Sequence, residues 1–254
     1  MQANPDGVNY KKSSPTYQAK VITQQPGTSQ PPATQQGFNC IEAFAHLEKI
    51  QIHQIKEFPS FAEKFKTANR YILSNENNEP CFYAFEESSC CQRTCCGRQR
   101  GFVMHILDNF RKEEVLKITR NFQCCGACCC SCCTCCQQEC TVSSKSTGLL
   151  GTIRKKFGFI SSNFEVLDAN GQVVLEIEGP NCCLQMGCGD KEYSIRAPNT
   201  DQVIGTIHKK WEGWYQEAFT KTDTFSINFP KDLDSKLKGA LLGATFLIMN
   251  YGFR

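Results

Sequence analysis

A seven-residue phrase occurs twice in this chain, and its setting repeats with it. "GTIRKKF" runs from Gly151 to Phe157, and "GTIHKKW" from Gly205 to Trp211. Ahead of each copy stands the same series: an apolar stretch, a polar turn, a second apolar stretch, then a Cys pair. Phe102 to Cys125 precedes the first copy and Phe164 to Cys183 the second, and Tyr71 to Cys91 shares the same grammar. In the Phe164 stretch, Asn170-Gly171 is a hairpin signal. Val173, Leu175 and Ile177 alternate there with Val174, Glu176 and Glu178, the period of a half-buried strand. Two repeating β-rich halves predict a closed barrel or a packed sandwich, since closure removes exposed strand edges.

The repeats do not fill the chain. Residues 1–37 are rich in Gln, Pro, Ser, Thr and Asn. "TQQPGTSQPPATQQG" cannot bury enough surface to offset chain entropy, so a disordered tail is expected. The folded region is expected over 38–254. Ile50, Ile52 and Ile55 fit a strand or a short helix. Phe58, Phe61 and Phe65 have helical spacing, and Arg70 to Leu73 reads as a strand. The start of the chain lacks a basic segment followed by an apolar one, so a reducing compartment is expected, where stable disulfides are rare.

A helix is expected at 235–253, with Asp234 or Ser235 as its N-cap. Gly239 to Phe253 is nearly all apolar. A membrane span needs about 20 residues and a buried core helix often has 10 to 14. This run falls between, and both readings stay open. Gly239 and Gly243 permit close backbone approach in lipid or in a narrow barrel. Lys231, Lys236 and Lys238 precede the run; if it spans, the bulk of the protein is cytoplasmic.

Nineteen cysteines are present among 254 residues. The densest run is "QCCGACCCSCCTCCQQEC", Gln123 to Cys140. Zinc needs spaced pairs that converge, and adjacent cysteines on a strand point to opposite faces. His46, His53, His105 and His208 are scattered, which leaves a thiol nucleophile without a base. Accessible clustered thiols near "RKKF" and "HKKW" suit S-acylation, because lipid chains and basic residues act together at an anionic leaflet. Cys90, Cys91, Cys95, Cys96, Cys182 and Cys183 are read instead as small apolar core residues. The net charge of +3 excludes nucleic-acid binding by composition.

From about Phe38 to Arg254 the chain resembles the phospholipid scramblases. The resemblance rests on "CCQRTCCG" (90–97), "CCCSCC" (128–133), "EAFT" (217–220) and "FPKDLDSKLKGALLGATFLI" (229–248). It implies a mainly β fold: a closed antiparallel, tubby-like barrel around the C-terminal apolar helix. It implies a non-enzymatic activity, the ATP-independent, calcium-stimulated movement of phospholipids in both directions between leaflets. The alternative is a palmitoylated adaptor or signalling protein that binds lipids and partners and moves no lipid. The resemblance carries palmitate onto Cys128, Cys129, Cys130, Cys132 and Cys133, with Ser131 in place of the family's proline. It maps the family's calcium segment onto Lys221 to Asp232, with Asp223, Phe225, Ile227, Phe229 and Asp232 as ligands. Lys221 replaces the usual first Asp, the mid-loop Gly and final Glu of an EF-hand are absent, and "FSINF" alternates like a strand. The implied partners are membrane phospholipids, an anionic leaflet through the basic patches, and a homo-oligomer or signalling partners. The implied location is a membrane, the plasma membrane first, by a single pass or a lipid anchor, with a nuclear pool when unacylated.

Overall fold

The structure, a computed structural model, describes residues 40–55, 69–96, 99–123, 137–156, 162–180, 189–210, 224–230 and 232–251. They all fall in the compact unit 38–254. The expected tail (1–37) and the Phe58–Phe65 segment lie outside the described residues, as do the Cys pairs at 124–125 and 182–183.

Twelve described strands close into one antiparallel barrel, each paired with its neighbours in sequence. They are β1 (Lys49–Gln54), β2 (Arg70–Ser74), β3 (Pro80–Glu87), β4 (Phe102–Asp108), β5 (Glu114–Arg120), β6 (Glu139–Ser144), β7 (Gly148–Lys155), β8 (Phe164–Leu167), β9 (Val173–Glu178), β10 (Lys191–Arg196), β11 (Val203–Lys210) and β12 (Thr224–Asn228). β1 pairs with β12 and completes the circle, so among the described strands none is left as an edge. The period-two reading is borne out. In β4, Phe102, Met104 and Ile106 point inward and are buried, while Val103 and His105 are less so. Ile50 and Ile52 belong to a strand, not a helix. Val173 departs from the alternation: it begins β9 and is exposed.

The duplication is visible in the backbone. The β6–β7 ladder passes from Val142↔Gly151 to Ser143↔Leu149 and bulges at Leu150. The β10–β11 ladder passes from Ile195↔Gly205 to Arg196↔Val203 and bulges at Ile204. Each bulge precedes the glycine of GTI. A Cβ on Gly151 would sit 2.6 Å from the Leu167 carbonyl oxygen, and one on Gly205 would sit 2.6 Å from that of Asn228. Both glycines are therefore required by the close approach of the next strand.

Among the described residues, two short helices precede the C-terminal one. A 3-10 turn covers Cys40–Phe44, and α1 covers Cys90–Cys95. The C-terminal helix, α2, spans Ser235–Tyr251. Asp234 caps it, its carboxylate accepting the Lys236 amide at 3.1 Å. Of the two readings left open for the apolar run, the structure takes the buried one. Residues 238–248 are all buried, and Ala240 through Leu242 are fully so. The span is not what the helix does here; the barrel wall takes the place of lipid. No helix among the described residues is long and apolar enough to cross a membrane. Small residues set the fit. A Cβ on Gly239 would lie 3.3 Å from Leu116 Cδ1, and one on Gly243 would run into Val142 Cγ2. Phe246 meets Tyr71 edge to face, with ring centroids 5.3 Å apart.

Lys238 is a charged residue in this core. Its side chain is buried, and Nζ donates to the carbonyl oxygens of Ala45 (2.8 Å) and Leu47 (2.9 Å). Burial lowers its pKa, and the charges of Glu48 and Asp232 work against that drop. The lysine thus fastens the start of α2 to the segment before β1.

Candidate functional site

An antiparallel barrel with sequential neighbours has two unlike ends, because every second connection returns to the same end. At one end lie 75–79, 109–113, 145–147, 168–172 and 197–202, all short turns. At the other lie 55–69, 88–101, 121–138, 156–163, 179–190 and 211–223, all longer. At the second end, here the loop end, lie Cys90, Cys91, Cys95 and Cys96 and the described ends, 121–123 and 137–138, of the connection whose sequence holds the cysteine run. α2 enters from the turn end and finishes at the loop end, where Arg100 meets Asn250.

The duplicated strands β7 and β11 both run toward the loop end. Their dipeptides Lys155-Lys156 and Lys209-Lys210 arrive together there. Lys210 is exposed. Lys156 pairs with Glu176 at 3.0 Å and Glu165 at 3.5 Å, and these carboxylates raise its pKa. The turn end carries Glu76, Glu79, Asp108, Asp168 and Asp201 together with Arg111, Lys112 and Lys145, but no Lys-Lys pair. The two basic patches expected to serve an anionic surface therefore share one end.

A polar knot lies at the loop end, where β3, the 88–101 connection and the end of α2 meet. The Glu86 carboxylate, fully buried, accepts from Arg100 Nε at 3.0 Å and Nη2 at 3.1 Å. It also accepts from Asn69 Nδ2 and from Ser88 Oγ at 2.7 Å. Burial alone would raise this carboxyl's pKa, but the Arg100 hydrogen bonds and charge, with the hydrogen bonds of Ser88 and Asn69, together outweigh it and hold it below the usual range. At the root of the 121–138 connection, buried Arg120 donates to Gln138 Oε1 and lies 6.0 Å from the Phe102 ring centroid.

The core reading of the first cysteine group is corrected. Cys90, Cys91 and Cys95 are exposed, and α1 buries no residue at all. The helix is held on by its polar side chains instead. Gln92 Oε1 accepts the Gly101 amide at 3.0 Å, and Arg93 Nη1 donates to the Ser88 carbonyl at 2.6 Å. Among the cysteines whose burial is described, Cys140 is the one in the core, and burial pushes its thiol pKa up to about 12. Among the described residues no cluster of three His, Cys, Asp or Glu converges as a metal site.

The acyl acceptors expected from the resemblance, Cys128, Cys129, Cys130, Cys132 and Cys133, lie outside the described residues, as do Lys221 and Asp223. Phe225 and Ile227 belong to β12, with buried side chains. β12 is paired on both sides, with β1 and β11, so its backbone carbonyls face neighbouring strands. Phe229 follows the strand, and its amide donates to the Glu48 carbonyl at 2.7 Å. Asp232 is exposed beyond it. The described members of the set do not fit a calcium loop, which needs carbonyls free to turn toward one ion.

Residue-by-residue reading missed Lys238, the Glu86–Arg100–Asn250 knot and the exposure of α1. Lys238 carried one signal, a charge abutting an apolar run. Such a lysine is ordinarily read as a solvated flank.

The scramblase family profile matches residues 26–254. Phospholipid scramblase 1 of Mus musculus is 34% identical over 225 residues, covering 87% of this chain and 67% of the relative. Phospholipid scramblase 2 of Bos taurus is 34% identical over 238 residues, covering 91% and 79%. Phospholipid scramblase family member 5 of Homo sapiens is 32% identical over 208 residues, covering 82% and 74%. This chain belongs to the scramblase family. It spans about two thirds of the length of the first of these relatives.

Proposed function

We propose that this protein is a phospholipid scramblase that docks on a membrane through the loop end of its barrel. It lets phospholipids pass between leaflets in both directions, down their gradients, with no ATP and no covalent chemistry. The observation that carries the reading is the polarity of the barrel. Both Lys-Lys dipeptides, the exposed thiols of α1 and the connection holding the cysteine run belong to one end. Basic residues near an anionic leaflet contribute about 1 kcal/mol each. Palmitate on Cys128, Cys129, Cys130, Cys132 and Cys133 would add the second signal that stable anchoring needs. The barrier to be lowered is the transfer of a polar headgroup through hydrocarbon, and disturbance of one leaflet beneath the docked end lowers it. No step is routed through calcium, because Phe225 and Ile227 are held in a strand.

The test is reconstitution of acylated full-length chain into liposomes with a fluorescent phospholipid in both leaflets and a membrane-impermeant quencher outside. Scrambling lets quenching exceed the outer-leaflet half. A plateau at half, at good incorporation and with or without calcium, overturns the proposal.

A second reading has its own observation. α2 fills the barrel from 238 to 248, and a filled barrel offers lipid no path through its middle. That favours an acylated adaptor which binds lipid and partners and moves nothing. Binding to vesicles with the plateau at half is the result it expects.

A further inference from the structure

We propose that Cys90, Cys91 and Cys95 of α1 accept long-chain acyl groups as thioesters, making α1 a lipid attachment site separate from the 128–133 cluster. Burial is the ordinary explanation for a cysteine-rich segment, and here it fails. The three thiols are exposed and free of disulfides, on a helix that buries nothing. Gln92 and Arg93 hold the helix to the barrel through Gly101 and Ser88. Acylation therefore asks no core contact to break. Exposed thiols on a folded surface are an oxidation and cross-linking liability, so three on one six-residue helix call for a use.

Position supplies the use. The 88–101 and 121–138 connections touch: the Gln123 amide donates to the Gln99 carbonyl at 3.1 Å. The cysteine run thus starts one residue beyond a bond to the α1 connection. Phe122, beside that bond, is 44% exposed, so an apolar ring already stands in the open at this end. Arg93 stands among the thiols in sequence and Arg100 follows them. Acyl chains on α1 enter the same surface that chains on the run would enter, and each buried CH₂ adds about 0.8 kcal/mol of membrane affinity.

The chemistry is transthioesterification. The cysteine sulfur, as thiolate, attacks the thioester carbonyl of a long-chain acyl-CoA. A C–S bond to the cysteine forms, the C–S bond to CoA breaks, and CoA leaves carrying the proton. Nothing is oxidised or reduced.

The inference rests on the proposed membrane docking of the loop end, and its test is read independently of lipid movement. Full-length chain is expressed in cells, free thiols are blocked, and hydroxylamine-released thiols are tagged with a polymer maleimide that adds one gel step each. C90S/C91S/C95S is expected to lose up to three steps relative to the unaltered chain, with unchanged thermal melting. A ladder of equal height overturns the proposal. The unaltered chain offers a second measurement. Trypsin releases Tyr71–Arg93 and Thr94–Arg98, and hydroxylamine-sensitive acyl adducts on Cys90, Cys91 or Cys95 within them support the site. Unmodified thiols there overturn it. Loss of lipid exchange with the α1 adducts intact would instead count against the scramblase reading alone.

Discussion

Arg100 Nη2 donates to Asn250 Oδ1 across 2.7 Å, joining residues 150 positions apart in the chain. The same guanidinium holds the buried carboxylate of Glu86. One side chain therefore ties the end of α2 to the barrel wall at the loop end, and Lys238 does the same office at the turn end.

Replacing Arg100 with Met removes its hydrogen bonds to Glu86 and Asn250 and leaves Glu86 buried without its cation. Removing one partner of a buried pair costs about 3–5 kcal/mol. The Arg100→Met chain is expected to melt well below wild type at pH 7. Glu86 has a folded pKa below its ordinary value. The stability it contributes is present above the ordinary carboxylate pKa and is lost as pH falls through the lowered one. The gap between variant and wild type should narrow on acidification, as followed by circular dichroism melts from pH 7 to 3. A constant gap would refute the pairing.

Gly243→Ala should destabilise. In an exposed helix this change stabilises by about 1 kcal/mol. Here the new methyl meets Val142 Cγ2, with Ile153 Cδ1 3.2 Å away. Overpacking of this kind costs about 1–3 kcal/mol. Denaturant titration of G243A reads the sign directly. A gain in stability would mean that α2 is not packed on β6 and β7.

His105 sits between two carboxylates on the outer wall. Nδ1 contacts Glu114 and Nε2 contacts Glu87 at 3.2 Å. The Glu114 hydrogen bond raises the His105 pKa above 6.5, and His105 in turn lowers Glu114 below 4.5. The histidine's contribution is complete below pH 6.5 and is lost as pH rises through its raised folded pKa. The Glu114 contribution is lost as pH falls below 4.5. His105→Gln should therefore cost most near pH 5 to 6, by about 1 kcal/mol for a partly exposed pair, and little at pH 9. Equal cost at both pH values would show that His105 serves only by its stacking on Phe85.

The docking polarity is testable without acylation. K155A/K210A removes one basic side chain from each copy of the repeat at the loop end. At about 1 kcal/mol per residue, the unacylated chain should bind vesicles rich in anionic lipid about 30-fold more weakly, as read by co-sedimentation at low salt. The same binding for variant and wild type would place the membrane-facing surface elsewhere.

Much of this could be read along the chain. The alternation in Phe102–Ile106 and in Leu175–Ile177 depends only on neighbours two apart, so the strands were visible. Asp234 as cap and the paired GTI strands were visible for the same reason. The bulges at Leu150 and Ile204 were not, although the glycines that follow them marked the spot. The knot of Glu86, Arg100 and Asn250 was invisible, since its members stand far apart in sequence and none looks unusual alone.

By itself, then, the sequence determined a repeating set of antiparallel hairpins, a capped apolar helix and a concentration of thiols. Each follows from short-range periodicity or composition. Tertiary structure decided where these parts face. The apolar surface of α2 is satisfied equally by hydrocarbon or by the inner wall of a barrel; closure of β1 on β12, with Gly239 and Gly243 admitting the wall, placed it inside. The thiols of α1 are small and apolar enough for a core; the hydrogen bonds of Gln92 and Arg93, made to residues outside the helix, turned them to the surface.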